Sequence, residues 1–551
     1  MSSPPRVTRS LVVLAVGTVL LLLAPGCDSR LEKVNDPPTS ATRDEVQPQW
    51  ELANAQLRAA GDRFETWRTN LILSSTIVQH NATLAAYWVG DKYLHVQSYT
   101  GSLYGSRAGY GSAVKHIVDV IARTDPEGES GEETTNINAI ARITRVVILQ
   151  RLTDMYGSVP YSEAGKAFTE GITQPAFDPQ EEIYADMLAD LSEARDQLDA
   201  SQPTPNRGDV IFGGNVDKWK RFANSMMLRL ALRHVKADEE KARTWAQNAI
   251  NHSAGLMRSN EDAAYIDHED PGRAINFNAN GMVFSFVAPA PPYLSQRFVG
   301  WMTERDDPRV SVYGDSDNDP PRGLPNGYDN NGDNPIQDHS SWIECEVGSG
   351  EEGGPQPDPC GTDTYTLLGD AVDDQDDPMF FQTYAESELM HAEAIVRGYV
   401  SGNAESHFEE GVRAALDYLS LYGEGGSIES SAVEEYVDGL DFGSSPREQL
   451  RHINNQYWAA TFMNDWEAFT NWRRSGWPDL ETSPVDMETG YPGNDTGGAF
   501  MRRLEYPNGP ANSNTENFNE AIERQGPDSY TTRVWWDAEP SNTSAIIGPD
   551  G

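Results

Sequence analysis

Apolar residues recur at intervals of three and four through most of the chain, which is the spacing of one buried face of an α-helix. Between residues 136 and 156, for example, Ile140, Ile143 and Val147 follow this spacing. The same pattern predicts helices over Gln49–Asn70, Asn136–Tyr156, Glu181–Leu198, Asp217–Val235, Glu239–Asn251, Gln382–Gly398, Glu405–Tyr422 and Arg447–Phe462.

Several of these helices are joined by short links, which favours a mainly α fold built from tetratricopeptide-like helical hairpins. No sharp repeat of about 34 residues accompanies them. Between the helices lie long irregular stretches, of which 264–298 is expected to hold short strands and 306–374 is dominated by Asp, Asn, Gly and Pro. No linker divides the chain cleanly, so residues 47–551 are predicted to form a single domain with long loops and few short strands.

The N-terminus has the pattern of a secretory signal: basic residues, an apolar run over 11–23, then small residues up to Gly26. This run is too short to span a bilayer, which takes about 20 residues. The cysteine that follows resembles the lipobox of bacterial lipoproteins, although Ala24 and Pro25 depart from the usual motif; the alternative is an ordinary signal with a chance cysteine. We therefore predict a signal peptide over 1–26, an acylated Cys27 and a flexible tether over 27–46.

Charge excludes one class of partner. The formal net charge is −43, and removing the signal takes away Arg6 and Arg9 but no acid. Nucleic-acid-binding proteins carry basic faces, so nucleic acid is excluded. The chain has few lysines, the last being Lys241. This composition resembles that of proteins from salt-adapted (halophilic) organisms; the alternative is an acidic surface protein from a moderate marine habitat.

The three cysteines are too few for a disulfide framework. With Cys27 assigned to the anchor, Cys345 and Cys360 are left as a pair around a Gly- and Pro-rich loop. Export makes their oxidation plausible, so the sequence predicts a Cys345–Cys360 disulfide that organises a surface loop.

Five segments between residues 150 and 537 carry a family likeness. One of them contains Arg473-Arg474-Ser475-Gly476-Trp477-Pro478. Because the five segments occur in the order found in that family, the chain resembles the SusD/RagB family of outer-membrane nutrient-binding lipoproteins, and in particular its SusD-like branch. The segments are Leu152–Ala164, Trp219–Arg233, Tyr384–Ala394, Tyr457–Leu480, and Arg503–Pro507 with Val534–Asp537.

The resemblance implies a lipid-anchored protein on the outer membrane, facing the cell surface. It implies binding of a nutrient, an oligosaccharide or a peptide, and delivery to a TonB-dependent SusC-like transporter, without catalysis. Two other functions stay open: a lipid-anchored glycoside hydrolase, and a tetratricopeptide-like adaptor without a small ligand. The sequence does not identify the ligand.

Charged residues within these segments are interpreted as architecture. Arg229 and Arg233 lie four apart on one helix, Glu386, Glu388 and Glu393 lie on another, and Arg473 and Arg474 follow Trp472. Guanidinium–carboxylate pairs of this kind can fix one helix against another. The chain contains no Gly-x-Ser-x-Gly, His-Glu-x-x-His or phosphate-binding loop, so no catalytic residue is predicted; His391 is interpreted as a core histidine.

Aromatic side chains near polar loops suit flat ligands such as sugar rings. The ligand-binding candidates are Trp88, Tyr93, Tyr104, Trp301, Tyr328 and Trp342. Core packing is the alternative for each of them.

Two acidic loops alternate oxygen ligands as calcium loops do. Calcium is therefore a possible ligand, and no cofactor is expected to be required. Neither loop has the full EF-hand spacing, and a solvated run of acids is the alternative. The candidate ligands are Asp315, Asp317 and Asp319 in one loop and Asp329, Asn331 and Asp333 in the other.

The charge predicts a salt-dependent stability. We expect the melting temperature to rise between about 0.1 M and about 1 M KCl, because the Debye length falls from about 10 Å to about 3 Å and self-repulsion is screened. A thermal melt at each salt concentration measures this. KCl is chosen over sulfate, since sulfate strengthens apolar burial in any protein; a flat melting temperature contradicts the prediction.

Overall fold

Helices make up most of the chain that can be described. The structure is a computed structural model, and it describes residues 45–85, 87–127, 131–269, 276–287, 292–328, 364–481, 495–497 and 499–538. Within these residues, no helix combines the length and the apolar character needed to cross a membrane. The signal peptide, Cys27 and the predicted Cys345–Cys360 disulfide lie outside the described residues. The chain divides after Gln47, and the unit from Pro48 to Gly551 contains all the elements below; the predicted domain boundaries stay a prediction.

The first half of this unit is a succession of helices. They are α1 (Pro48–Ala59), α2 (Arg63–Glu65), a π-helix (Thr66–Ser75), α3 (Gln97–Thr100), α4 (Ser102–Gly105), α5 (Ala113–Arg123), α6 (Thr135–Tyr156), α7 (Gln180–Gln197), α8 (Val216–Arg233) and α9 (Glu239–Asn251).

The second half contains α10 (Ala279–Val287), α11 (Gln296–Thr303), α12 (Val310–Tyr313), α13 (Tyr384–Val396), α14 (Ala404–Asp417), α15 (Ser430–Asp438), α16 (Pro446–Ala460), α17 (Asp465–Ser475), α18 (Asn508–Ser513) and α19 (Thr515–Gln525). Short 3₁₀ turns lie at Gly131–Thr134, Asn206–Gly208, Asn260–Asp262, Asp370–Val372, Tyr418–Tyr422, Glu424–Gly426 and Trp535–Asp537.

The predicted helices are confirmed, most of them to within one or two residues at each end. The exception is the helix predicted over Gln49–Asn70, which is interrupted after α1. Gly61 there adopts a φ of +114°, which glycine tolerates. Asp62 then starts a new helix, accepting a hydrogen bond from the Arg63 N–H while Glu65 accepts one from the Asp62 N–H.

Consecutive helices pack as hairpins: α6 against α7, α8 against α9, and α13 against α14. The hairpins are joined in turn, because α7 also packs on α8 and α13 on α16. The approach of α13 and α14 is close: a Cβ atom on Gly411 would lie 2.8 Å from Leu389 Cγ. The expected mainly α, hairpin-based fold is thereby confirmed.

Two small antiparallel sheets complete the fold, as expected for the 264–298 stretch. One has the strand order β1 (Asn81–Ala82), β3 (Tyr293–Leu294), β5 (Leu367–Leu368), β4 (Gly314–Asp315). In it, Asn81 pairs with Leu294 and Gly314 with Leu368. The other pairs β2 (Ala264–Ile266) with β6 (Met379–Gln382). The first sheet matters for function, because β3 leads directly into α11.

A buried network of charges joins four helices. On α8, Arg229 Nη2 donates to Glu386 Oε2 of α13 at 2.5 Å, and Arg233 Nη2 donates to Glu467 Oε1 of α17 at 2.6 Å. The hydroxyl of Tyr457, on α16, lies 2.8 Å from both carboxylates. Although burial alone would raise the pKa of Glu467, the two arginines lower it. The predicted pairing of arginine with carboxylate is confirmed for Arg229, Arg233 and Glu386. It is wrong for Glu388, which pairs with His407, and for Arg473, which donates to the carbonyls of Asp154 and Arg502.

A second buried cluster joins α13 to α17. Arg474 donates to both carboxylate oxygens of Glu393, at 2.5 and 2.8 Å, and Arg397 donates to the same carboxylate at 2.8 Å. The Asn454 side chain bonds both partners. Although burial alone would raise the pKa of Glu393, the guanidiniums of Arg474 and Arg397 hold it well below its usual range. Bidentate pairs of this kind are geometrically selective.

Glu393→Gln should destabilise the fold by about 3–5 kcal/mol, because it leaves two buried guanidiniums facing a neutral amide of the same shape. The free energy of unfolding in urea and the melting temperature measure the loss.

The matched control is Glu434→Gln. Glu434 pairs with Arg413 at 2.9 Å, but Glu434 is exposed to water and Arg413 is partly exposed. The melting temperature of this control should equal that of the parent, since exposed pairs contribute little. Equal losses in the two variants would contradict the architectural role of the buried cluster.

Candidate functional site

An open groove with a volume of about 1540 Å³ lies among the described residues. One wall is α11 and the turn that follows it, and the opposite wall comes from α15 and α16. The loop 325–328 and the segment 477–481 close its ends. Its volume exceeds that of a typical small-ligand pocket, about 300–1,000 Å³, so it has room for a chain of linked rings.

The first sheet positions α11. Ser295 directly follows β3, and its N–H donates to the carbonyl of His80 at 2.9 Å. The hydroxyl of Ser295 accepts the Arg297 N–H at the start of α11 and donates to Asn326 Oδ1 at 2.6 Å. One serine thus caps the helix and holds the loop 325–328 beside it.

Trp301 stands on α11 and forms part of the groove wall. Its ring packs edge-on against Trp458, with ring centroids 5.8 Å apart, and its side is covered by Arg305, whose guanidinium carbon lies 5.0 Å from the ring centroid. Arg305 also donates to the Trp301 carbonyl at 3.0 Å. Only 8% of Trp301 is exposed, so it presents an edge rather than a free face to the groove.

A buried polar network supports this wall from below. Arg309 donates to Asp307 Oδ2 at 2.5 Å and to Gln456 Oε1 at 2.6 Å. Tyr436 donates to the same Asp307 oxygen at 2.9 Å and accepts from Gln456 Nε2 at 2.9 Å. Burial followed by the nearby Asp307 carboxylate raises the pKa of Tyr436, so it stays a neutral hydroxyl. Gln456 and Tyr436 are themselves lining residues, so the network fixes groups that face the cavity.

Four buried polar atoms on residues that line the groove have no hydrogen-bond partner within the described residues: the indole N–H groups of Trp301 and Trp477, the Nε of Arg297 and the side-chain oxygen of Asn455. Buried polar groups are nearly always paired in native proteins. Three donors and one acceptor on residues that line one cavity are therefore available to hydroxyl or amide groups of a ligand that reaches them.

The charge of the lining is mixed with an acidic excess. Carboxylates are supplied by Glu304, Asp306, Glu435, Asp441, Asp479 and Glu481, and cationic side chains by Arg297, Arg305 and Arg451. Burial, followed by the neighbouring Arg451, lowers the pKa of His452, which keeps this groove residue neutral near pH 7. The groove is therefore unsuited to an anionic ligand.

The six aromatic candidates from the sequence separate into three groups. Trp301 and Tyr328 line the groove, and Tyr328 is half-buried. Trp88, Tyr93 and Tyr104 are buried in the core and do not line it. Trp342 lies outside the described residues. For the three core residues, the alternative given above, core packing, describes their place in the fold.

The calcium candidates that lie among the described residues do not come close enough together to form a site. Asp315, Asp317 and Asp319 are exposed on the segment after β4. Among the described residues, their carboxylates do not converge into a group of three close enough to share one ion. Asp329, Asn331 and Asp333 lie outside the described residues, so calcium binding stays a prediction.

Sequence reasoning missed most of the groove. Asn455 and Gln456 lie in a helix that the pattern assigns to the scaffold, whereas Tyr436 and Trp477 lie outside the predicted helices. These residues reach the cavity because α15, α16 and the segment after α17 line it together with α11. The one available signal was Trp477-Pro478 after Gly476, where an aromatic residue follows a helix end; Gly476 does adopt a left-handed φ of +76°.

Comparison with known proteins points to one family. The model of the SusD-like family, described as starch-binding and associating with the outer membrane, matches residues 41–507. No curated protein is similar enough to count as a match.

Solved structures of the same family resemble the chain over almost its whole length. A chitin-binding protein is 29% identical, with a TM-score of 0.74, over 90% of this chain and 100% of its own. A SusD-like protein from Bacteroidetes is 25% identical, with a TM-score of 0.75, over the same shares. A chitin-binding SusD homolog from Flavobacterium johnsoniae shares the fold, at 20% identity, a TM-score of 0.67, and coverage of 89% and 99% of the two chains.

Proposed function

The chain belongs to the SusD-like family of starch-binding proteins that associate with the outer membrane, and on that premise we propose that it captures a neutral oligosaccharide in the groove between α11 and α16. The observation that carries the proposal is the set of unpartnered polar atoms on Arg297, Trp301, Asn455 and Trp477, four residues that line one large open cavity. Sugar hydroxyls can donate and accept, so they can satisfy both indole N–H groups and the amide oxygen.

Aromatic edges and a half-buried tyrosine supply the apolar part of such a site. The C–H faces of a sugar ring pack against aromatic surface while its hydroxyls hydrogen-bond at the rim. Tyr328 faces the groove from the loop that Ser295 and Asn326 hold in place. A rigid wall lowers the entropic cost of binding, because fewer side chains have to be ordered by the ligand.

The charge of the groove lining favours neutral sugars over anionic ones. An excess of carboxylates over arginines in the lining disfavours uronic acids and sulfated sugars, since like charges in a partly desolvated cleft repel. Neutral hexose or N-acetylhexosamine chains carry no such penalty. A solved relative at 29% identity is named as chitin-binding, so chito-oligosaccharides are the first ligands to test, with malto-oligosaccharides second and peptides third.

We propose binding without bond chemistry. SusD-like relatives are binding proteins, and carboxylate pairs in a chain with 85 acidic residues carry little information about hydrolysis. A lipid-anchored glycoside hydrolase is the competing function, and release of reducing ends during the binding assays would favour it.

We further propose that the anchored protein delivers its ligand to a TonB-dependent SusC-like transporter at the cell surface. The support is the family likeness together with the lipobox-like sequence at Cys27. The partner can be sought by co-purification from outer membranes after mild cross-linking.

Removing a groove donor without removing its ring should weaken oligosaccharide binding. We expect Trp477→Phe and Trp301→Phe each to raise the Kd about five- to tenfold, because a single hydrogen bond contributes about 1 kcal/mol. Tyr328→Ala should raise it about tenfold through lost ring contact. Calorimetric titration with chito-hexaose and malto-hexaose measures both the affinity and the preferred ligand.

The matched control is Trp50→Phe. Trp50 is 53% exposed on α1 and does not line the groove, so the Kd should not change. If the groove variants keep the parental affinity while binding is intact, the groove is not the binding site. If no neutral oligosaccharide binds and a peptide does, the proposed ligand class is wrong.

Cys27→Ser should release the protein from the membrane without unfolding it, because a serine cannot carry the thioether-linked lipid. Fractionation of cells followed by immunodetection measures the shift from the membrane to the soluble fraction. A variant that stays in the outer-membrane fraction would contradict the lipid anchor.

A further inference from the structure

The three glutamates of α13 have different partners. Glu386 is paired with Arg229, and Glu393 with Arg474 and Arg397. Glu388 has no arginine or lysine within salt-bridge distance among the described residues, although its side chain is only 10% exposed. Its partner is His407 on α14, whose Nδ1 lies 2.5 Å from Glu388 Oε2. The described groups that face this carboxylate are therefore imidazole and the hydroxyl of Tyr384, rather than guanidiniums.

A second imidazole completes the cluster. His391 lies three residues after Glu388, on the same face of α13, and its ring centroid is 3.8 Å from that of His407. The nitrogens of His391 have no hydrogen-bond partner in the part of the chain that is described. One ligand atom from each of Glu388, His391 and His407 lies within 4.8 Å of the others.

We propose that Glu388, His391 and His407 bind a Zn²⁺ ion that joins α13 to α14. Two imidazoles and one carboxylate form the donor set that zinc accepts with a fourth position left for water. Zinc–ligand bonds of about 2.0–2.2 Å place neighbouring ligand atoms about 3–4 Å apart, which small side-chain rotations supply here. Calcium and magnesium prefer all-oxygen ligands, so imidazoles disfavour them.

Helix packing explains why the three residues meet. The close approach at Gly411 brings the two helices of the hairpin together, and the Glu-x-x-His spacing places two ligands on one face of α13. His407 is 30% exposed, which gives the ion a route from solvent. Its neighbour in the chain, Phe408, lines the groove, so the ion would tighten the hairpin that carries one groove residue. The proposal does not depend on which sugar the groove binds.

The test is a calorimetric titration of the full chain with Zn²⁺, using protein purified without a polyhistidine tag. An excess of Mg²⁺ keeps the many surface carboxylates occupied. We expect one saturable site. Glu388→Gln, His391→Gln and His407→Gln should each weaken it at least about 100-fold, because even loss of a group behind a ligand costs about 10–100-fold.

The control is His252→Gln. His252 lies 3.4 Å from Asp196 and is partly exposed, but it has no second imidazole beside it, so zinc affinity should not change. A second readout guards against misfolding: Zn²⁺ should raise the melting temperature of the parent and of His252→Gln, and not that of the three site variants. Zinc binding that is equal in all variants, or that Mg²⁺ displaces, would overturn the proposal.

Discussion

The removal of charged groups from water in matched pairs is the constraint on which this scaffold depends. Arg229, Arg233, Glu386 and Glu467 are all buried, and a lone buried charge among them would cost several kcal/mol. Each carboxylate must therefore meet its guanidinium with good geometry, and this happens only in one arrangement of α8, α13 and α17. Apolar stripes bring the helices together, and the ion pairs select their register.

Buried pairing of charged groups also stabilises the groove wall. Asp307 and Arg309 pair beneath α11 and fix Gln456 and Tyr436, two groups that face the cavity. On the other side of Trp301, Trp458 packs against the ring of His80, whose Nδ1 lies 2.6 Å from Asp465 Oδ1. The groove wall is thus an extension of the buried polar core. This explains why its aromatic groups are held edge-on and why polar atoms without a hydrogen-bond partner are exceptional there.

The division of charge between core and surface also bears on function. Most buried arginines pair with buried carboxylates, although Arg473 donates to backbone carbonyls. The surface therefore carries most of the acidic excess of a chain with a net charge of −43. In the groove, the remaining arginines lie among a larger number of acids. A neutral, hydroxyl-rich ligand fits such a lining better than an anion, and Glu388, paired with an imidazole, is the exception that points to a metal.

The sequence by itself determined most of the longer helices, the existence of helical hairpins and most of the pairing of arginines with carboxylates, because these depend on spacing along one segment and on residue type. It did not predict α5, α15, α17 or α19. The helix Glu239–Asn251 has the predicted bounds, and Arg474 has the predicted kind of partner. The family likeness came from the same local segments. The long helix expected over Gln49–Asn70 failed only at Gly61, where one backbone conformation interrupts a continuous pattern.

Only the tertiary structure decided which aromatics face a cavity and which face the core. Trp88 and Trp301 have similar surroundings in the sequence, yet one is buried at the centre and the other stands in the groove wall. The groove and the Glu388–His391–His407 cluster both arise from residues on different helices. These residues come together only through the packing of whole helices. The periodicity within a single segment does not indicate how that segment packs against another.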